Sequence, residues 1–431
     1  MKIRREFLSY VVPSLLAFAL SGVYCIVDGF FIGRALGDDG LAAVNIAYPA
    51  AAFIQAAGTG AGLAGAIRYT LLSAQNRRSE AADCFAGAVA LLLALSLAMT
   101  AAFFALTRPL LVLMGAEGRV LELGREYLRI IALGALFQAM ATGLVPFIRN
   151  LGGARFAMGA MIAGFISNAA LDYAFVWLIE GGMAGAAWAT ITGQAVTMLA
   201  AVFYLARRRA QLSGDVRRAA KYILPILKLG VSPFGLTFSP QITALLMNRF
   251  LMLWGGARGV AVYACISYVV YIAYLLLQGV GDGSQPLISR FSGMGDREGV
   301  RRVGRLAYAG ALGIALLCAA AFVLLRGHVG PLFGASGRTA EDTERLLPLF
   351  AAALPFVALT RVAASGLYAA GKALASYVLV YAEPLLTLAL ALLLPGPAGL
   401  ELGGVWAAVP LSQLLAALAC AIVTAMDRNK G

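Results

Sequence analysis

Apolar residues run along this chain in blocks of about 20 to 30 positions, and polar residues gather in the short gaps between them. A helix needs about 20 apolar residues to cross the hydrocarbon core of a bilayer. The blocks lack the alternation, about ten residues long, that marks a membrane barrel strand. They predict twelve helical spans, near 8–35, 42–73, 82–107, 123–149, 155–179, 183–206, 222–254, 260–290, 303–326, 344–370, 373–395 and 403–426. The expected fold is an all-α polytopic membrane protein. The basic start (Lys2, Arg4, Arg5) is followed by a block longer than a signal-peptide core, which also holds Pro13 and Asp28, so this first block is expected to stay as a helix.

Composition supports the same class. Hydrophobic residues make up 61% of the 431 positions and charged residues only 13%, and the mean hydropathy is +0.84. A soluble globule could not hide that much apolar surface. The formal net charge of +13 raises the question of nucleic acid, which the positions of the basic residues answer. They cluster at the N-terminus, at Arg77 and Arg78, at Arg149 and Arg155, at Arg207, Arg208, Arg209, Arg217, Arg218, Lys221 and Lys228, at Arg290, Arg297, Arg301, Arg302 and Arg305, at Lys372, and at Arg428 and Lys430. These are alternate connections between the spans. About 22 basic residues fall on that side and about nine on the other, so the positive-inside rule places both termini in the cytoplasm of a multi-pass cell-membrane protein. Basic residues so placed suit topology and contact with anionic membrane lipid. No basic patch interleaved with aromatics points to nucleic acid.

The remaining chemistry is sparse. Cys25, Cys84, Cys265, Cys318 and Cys420 stand singly in or beside apolar spans and read as small packing residues. His328 is the only histidine, so neither a zinc site nor a Ser-His-Asp triad has material to work with, and an enzyme of those types is not expected. GTGAG (58–62) and GVGDG (279–283) lie within apolar spans, without the strand that precedes a phosphate loop, and no Walker A sequence occurs. No cofactor is expected.

Sliding the chain against itself by about 220 residues gives an ordered match. Pro13 falls on Pro233, Asp28 on Asn248, Phe30 on Phe250, Ile46 on Ile266 and Tyr48 on Tyr268. GTGAG then falls on GVGDG, RNLGGA (149–154) on YAAGKA (368–373), and GAAWAT (185–190) on GGVWAA (403–408), with Gln194 and Gln413 following. Six spans per half give a parallel repeat about an axis along the membrane normal. The expected organisation is a lobe over 1–206, a cytoplasmic linker over 207–221 and a second lobe over 222–431, with the long basic linker letting the lobes tilt.

Asp28 and Asp172 sit deep in apolar spans. A charged side chain at the bilayer centre costs roughly 2.5–3.5 kcal/mol on insertion scales, so it marks an ion or proton site by default. Asn168 and Asp172 are four residues apart and share one helical face, from which their oxygens can converge with Asp28 on one cation. The local alternatives are a helix-turn cap or an intramembrane Arg partner for Asp172, and a water-facing Asp28.

Pro13, VYCIVDGFFIGRALG (23–37), SNAALDYAF (167–175), GMAGAAWATITGQ (182–194) and GVGDGSQPLIS (279–289) together resemble the multidrug and toxin extrusion (MATE) family, over essentially the whole chain. The resemblance implies a twelve-helix, V-shaped, two-lobed exporter that expels cationic or amphipathic compounds as protons or sodium ions enter. It further implies a coupling site of Asp28, Asn168, Asp172 and Thr190, with Pro13 as the bend of the first helix. If sodium is the coupling ion, Asp28, Asn168 and Asp172 would ligate it through hard oxygens. Thr190 has a local alternative, a bond to its own backbone.

The second half departs from the first, since Asn248 stands where Asp28 has its carboxylate. Asp282 and Glu383 are its intramembrane acids, and family members commonly carry an amide near the Asp282 position. With Asn248, Tyr24, Gln55 and Met247 they are candidates for a substrate cavity. Asp282 has a local alternative in Arg249 or Arg361, and Glu383 in the kink expected at Pro384. The expected carrier acts on a small drug or metabolite and functions as a monomer. A lipid-linked oligosaccharide flippase would instead need Arg68, Arg249 and Arg361 to line a basic cavity, and a lipid enzyme would need a nucleophile or metal that is not found.

Overall fold

The computed structural model describes residues 2–208, 212, 214–335 and 337–429, so Arg209 and Lys430 lie outside the described residues, as do the side chains of Cys25 and Arg428. The described chain is helical almost throughout. In order run α1 (Lys2–Gly37), α2 (Asp39–Ala74) and α3 (Arg78–Leu113). There follow α4 (Gly118–Leu133), α5 (Ala135–Asn150), α6 (Ala154–Asp172), α7 (Gly182–Ala206) and α8 (Val216–Gly293). The chain continues through α9 (Arg297–Leu324), α10 (Arg326–Leu332), α11 (Gly337–Ala369), α12 (Ala373–Leu393) and α13 (Glu401–Asn429).

Ten described helices are long and apolar enough to cross a membrane, and eleven spans result when α4 and α5, bent by 54° at their junction, count as one. The long α8 turns at Gly256, which makes one span more. The single expected span over 123–149 is therefore two helices meeting at Gly134, and α10 is a short extra helix.

Two turns carry the repeat into the backbone. Gly37 has φ 63° and ψ −153°, and Gly256 has φ 61° and ψ −162°. Such angles are open to glycine and strained for any residue with a Cβ. Each turn ends the first helix of its half, so the two halves reverse direction by the same device.

The Cα positions form two compact units. One comprises Leu8–Thr237 with Ser289–Arg297, and the other comprises Phe238–Ile288 with Glu298–Gly431 and Met1–Phe7. The first has its own apolar core, in which Ile32, Ile54, Leu111, Leu128, Ile131 and Met183 are almost fully buried. The second is built around Met247, Leu251, Ile266, Leu347, Phe350 and Trp406. Small residues let the helices approach, as is usual where helices pack in lipid. A Cβ on Gly58 would stand 2.7 Å from the Ala139 backbone, and one on Gly62 would stand 2.1 Å from that of Gly143. GTGAG is thus a packing stripe between α2 and α5.

The connection ahead of α8 is tied to α3. The Asp215 N–H donates to Asp83 Oδ1 at 2.8 Å, and the Tyr222 hydroxyl donates to Glu80 Oε2 at 2.8 Å. Arg77 grips the same Glu80 with Nε and Nη2 at 2.7 and 2.8 Å.

Candidate functional site

α6 ends at Asp172 and continues as a π-helical turn, Tyr173–Leu178. Widened turns of this kind are frequent at functional sites. Asn168 and Asp172 are 2% and 0% exposed, four residues apart on one face of α6. The carboxyls of Asp28 on α1 and Asp172 on α6 act directly on each other. Among the described residues no Arg or Lys charge acts on either of them.

Five buried polar atoms here have no hydrogen-bond partner of good geometry: Asp28 Oδ1, both Asp172 oxygens, and both amide atoms of Asn168. Native interiors rarely leave such atoms unmet, because each costs about 1–3 kcal/mol. A proton held between the two carboxyls would supply a donor. A small cation would satisfy the same oxygens from its own charge. Helix packing sets the geometry, for a Cβ on Gly193 of α7 would stand 2.8 Å from the Asn168 Cβ.

Thr190 on α7 donates its hydroxyl to the Ala186 carbonyl at 3.0 Å, a bond within its own helix that leaves the oxygen free to accept. It lines a small cavity, of about 10 Å³, with Tyr24, Phe165, Asn168, Gln194 and Thr197. Tyr24 stacks on Phe165 there, with ring centroids 5.3 Å apart. Pro13 is buried inside α1, where its ring removes an i to i−4 bond. Around it lie Ser14, Phe18, Arg149, Met158 and Met161.

The second unit is built differently. Arg361 on α11 donates from Nη1 to Gln278 Oε1 at 3.0 Å, and Gln278 Nε2 donates to Asp282 Oδ1 at 3.0 Å. The guanidinium lies over the Tyr274 ring, 4.6 Å from its centroid, and the Tyr274 hydroxyl accepts from Gln413 Nε2 at 3.1 Å. Glu383 on α12 is within reach of the Arg361 charge and faces Gln413 and Thr243, while its Oε1 has no partner. Of the remaining cavity candidates, Gln55 is half-buried and Asn248 is exposed. Met247 is fully buried in the second unit's apolar core. Arg249 is exposed, Arg68 is half-buried, and Arg361 belongs to the Gln278 network.

Sequence reasoning passed over Gln278 and the π turn. The i, i+4 spacing of Gln278 and Asp282 was the signal for the first, as it had been for Asn168 and Asp172. Gln194 and Gln413, which mark the repeat in the sequence, also carry structure: one lines the first unit's cavity and the other joins the second unit's network.

Two six-span halves, one with a buried pair of carboxyls, define a polytopic helical membrane protein. Comparison makes the class specific, since residues 13–174 and 237–393 match the MatE family model. The chain belongs to the MatE family and is a MATE-type transporter. It is 26% identical over 300 residues to the multidrug export protein MepA of Staphylococcus saprophyticus, a match covering 68% of this chain and 65% of that protein's length. With MepA of Staphylococcus aureus it shares 23% identity over 99% of this chain and 94% of the relative. Its fold is similar to that of an outward-facing multidrug resistance MATE family transporter of the MOP superfamily, with TM-score 0.90, 22% identity, and coverage of 99% and 97%. A MATE structure in the straight conformation is similar to the same degree, with TM-score 0.90, 22% identity, and coverage of 99% and 97%.

Proposed function

We propose that the protein is a secondary active multidrug exporter, which expels cationic or amphipathic compounds from the cytoplasm in exchange for protons or sodium ions by alternating access. The observation that carries this reading is the Asp28–Asp172 pair, buried with Asn168 and touched by no basic residue. Such a pair is short of positive charge by design. With a proton or sodium ion bound, the local charge falls, α1 bends near Pro13, and affinity for a cationic cargo drops. Cargo leaves outside, and loss of the cation inside restores the binding state.

Coupling requires only that cation and cargo favour opposite states of one carrier, and it is reciprocal by linkage. One charge crossing about 150 mV supplies roughly 3.4 kcal/mol, enough for a cargo ratio of a few hundred. In this reading Thr190 and Gln194 complete the cation's surroundings, both termini lie in the cytoplasm, and a monomer in contact with membrane lipid suffices.

Efflux of a fluorescent cationic dye from proteoliposomes, under a pH gradient and separately under a sodium gradient, tests the reading. Dye movement that follows one gradient establishes antiport and identifies the ion. A folded preparation that moves dye under neither gradient refutes it.

A further inference from the structure

On charge alone, Asp282 and Glu383 are equally available to cargo or coupling ion in the second unit. Hydrogen bonding separates them. Gln278 stands one turn before Asp282 on α8 with its amide committed at both ends, Oε1 to the Arg361 guanidinium and Nε2 to the Asp282 carboxylate. A guanidinium only donates and an ionised carboxylate only accepts, so one orientation of the amide serves both. The primary amide thus works as a spacer that transmits charge complementarity from cation to anion.

Both ends of the bridge are sealed from water, with Arg361 6% and Asp282 3% exposed. Tyr274 fixes the guanidinium from one face, and Gln413 fixes Tyr274. Glu383 has no such bridge. It meets the Arg361 charge from α11, Thr243, Tyr263 and Tyr274 from α8, and Gln413 from α13, and it retains a buried oxygen without a partner.

We propose that Arg361 is a positioning residue that, through Gln278, holds Asp282 as a fixed internal counter-ion, so that Asp282 binds neither the coupling cation nor a cationic cargo. The inference rests on the transport reading and refines it, and Glu383, which also lies within reach of the Arg361 charge, is left unsubstituted throughout the test. Removing one member of a buried charge pair leaves the other uncompensated, whereas removing both is far better tolerated.

The test is a cycle of Arg361→Gln, Asp282→Asn and the double variant, read by gradient-driven dye efflux in proteoliposomes and by thermal unfolding in detergent. Each single variant is expected to lose about tenfold or more of efflux and to unfold at a lower temperature. The double variant is expected to recover to within about threefold of wild type with the same coupling ion. A folded double variant as inactive as Asp282→Asn overturns the proposal, as does Arg361→Gln transporting at the wild-type rate.

Should the double variant not fold, Arg361→Lys carries the test. Retained charge is expected to preserve most of the efflux that Arg361→Gln loses, and equal loss in both refutes the counter-ion role. If wild type moves no dye under either gradient, the transport reading fails. The unfolding temperatures still report whether Arg361 and Asp282 compensate each other.

Discussion

The two units place carboxylates in the membrane by opposite means. In the first, Asp28 and Asp172 face each other without a basic partner, and the Asn168 amide beside them makes no bond of its own. In the second, Asp282 is tied through Gln278 to a guanidinium that is itself held by a tyrosine ring. An unmet charge can do work because an ion can complete it. A met charge has its partner built in. Duplication therefore supplied two similar scaffolds, and divergence of a few side chains gave them unequal electrostatics.

The largest expected effect breaks the first side of this comparison. Asp172→Asn should lower gradient-driven dye efflux by about 100-fold, with Asp28→Asn close behind. The double substitution should be little worse than either alone, because the carboxyls act as one unit. Additive losses in the efflux assay would separate their roles.

Next comes Gly193→Leu, which drives a side chain into Asn168. Overpacking of this kind costs about 1–3 kcal/mol, so the melting temperature should fall along with efflux. Pro13→Ala restores a backbone bond inside α1 and should slow efflux about tenfold while equilibrium dye binding, measured by fluorescence polarisation, is retained. The smallest change is expected from Thr190→Val. The hydroxyl's observed bond is local to α7, so efflux should stay within about threefold, and a larger drop would make Thr190 a ligand of the coupling cation.

Much of this was legible in the chain because charge is conspicuous against an apolar background. Asp28, Asp172 and Glu383 stand out in any hydropathy trace, and the i, i+4 pairing of Asn168 with Asp172 followed from helix geometry. Gln278 did not stand out, because an amide in a membrane helix is unremarkable until its two partners are known, and Arg361 is 83 positions away along the chain. The bend at Gly134 was hidden for a similar reason: both arms are apolar and helical, and the break depends on packing. The π turn after Asp172 changes hydrogen-bond register without changing composition, so pattern reading has no purchase on it. The burial of Met247 in the second unit's core depends on which face of α8 meets that unit's interior, and spacing alone leaves that open.

The glycine turns at Gly37 and Gly256 also bear on how the protein is made. A turn set at one residue keeps the connection short, with Arg34, Asp38 and Asp39 as the charged residues near the first and Arg258 near the second, so α1 with α2, and the two arms of α8, are each suited to enter as a preformed hairpin. A branched residue at either glycine would force the left-handed backbone open. The damage would then appear as a lower yield of inserted chains at the ribosome-bound stage, before any solute had been moved.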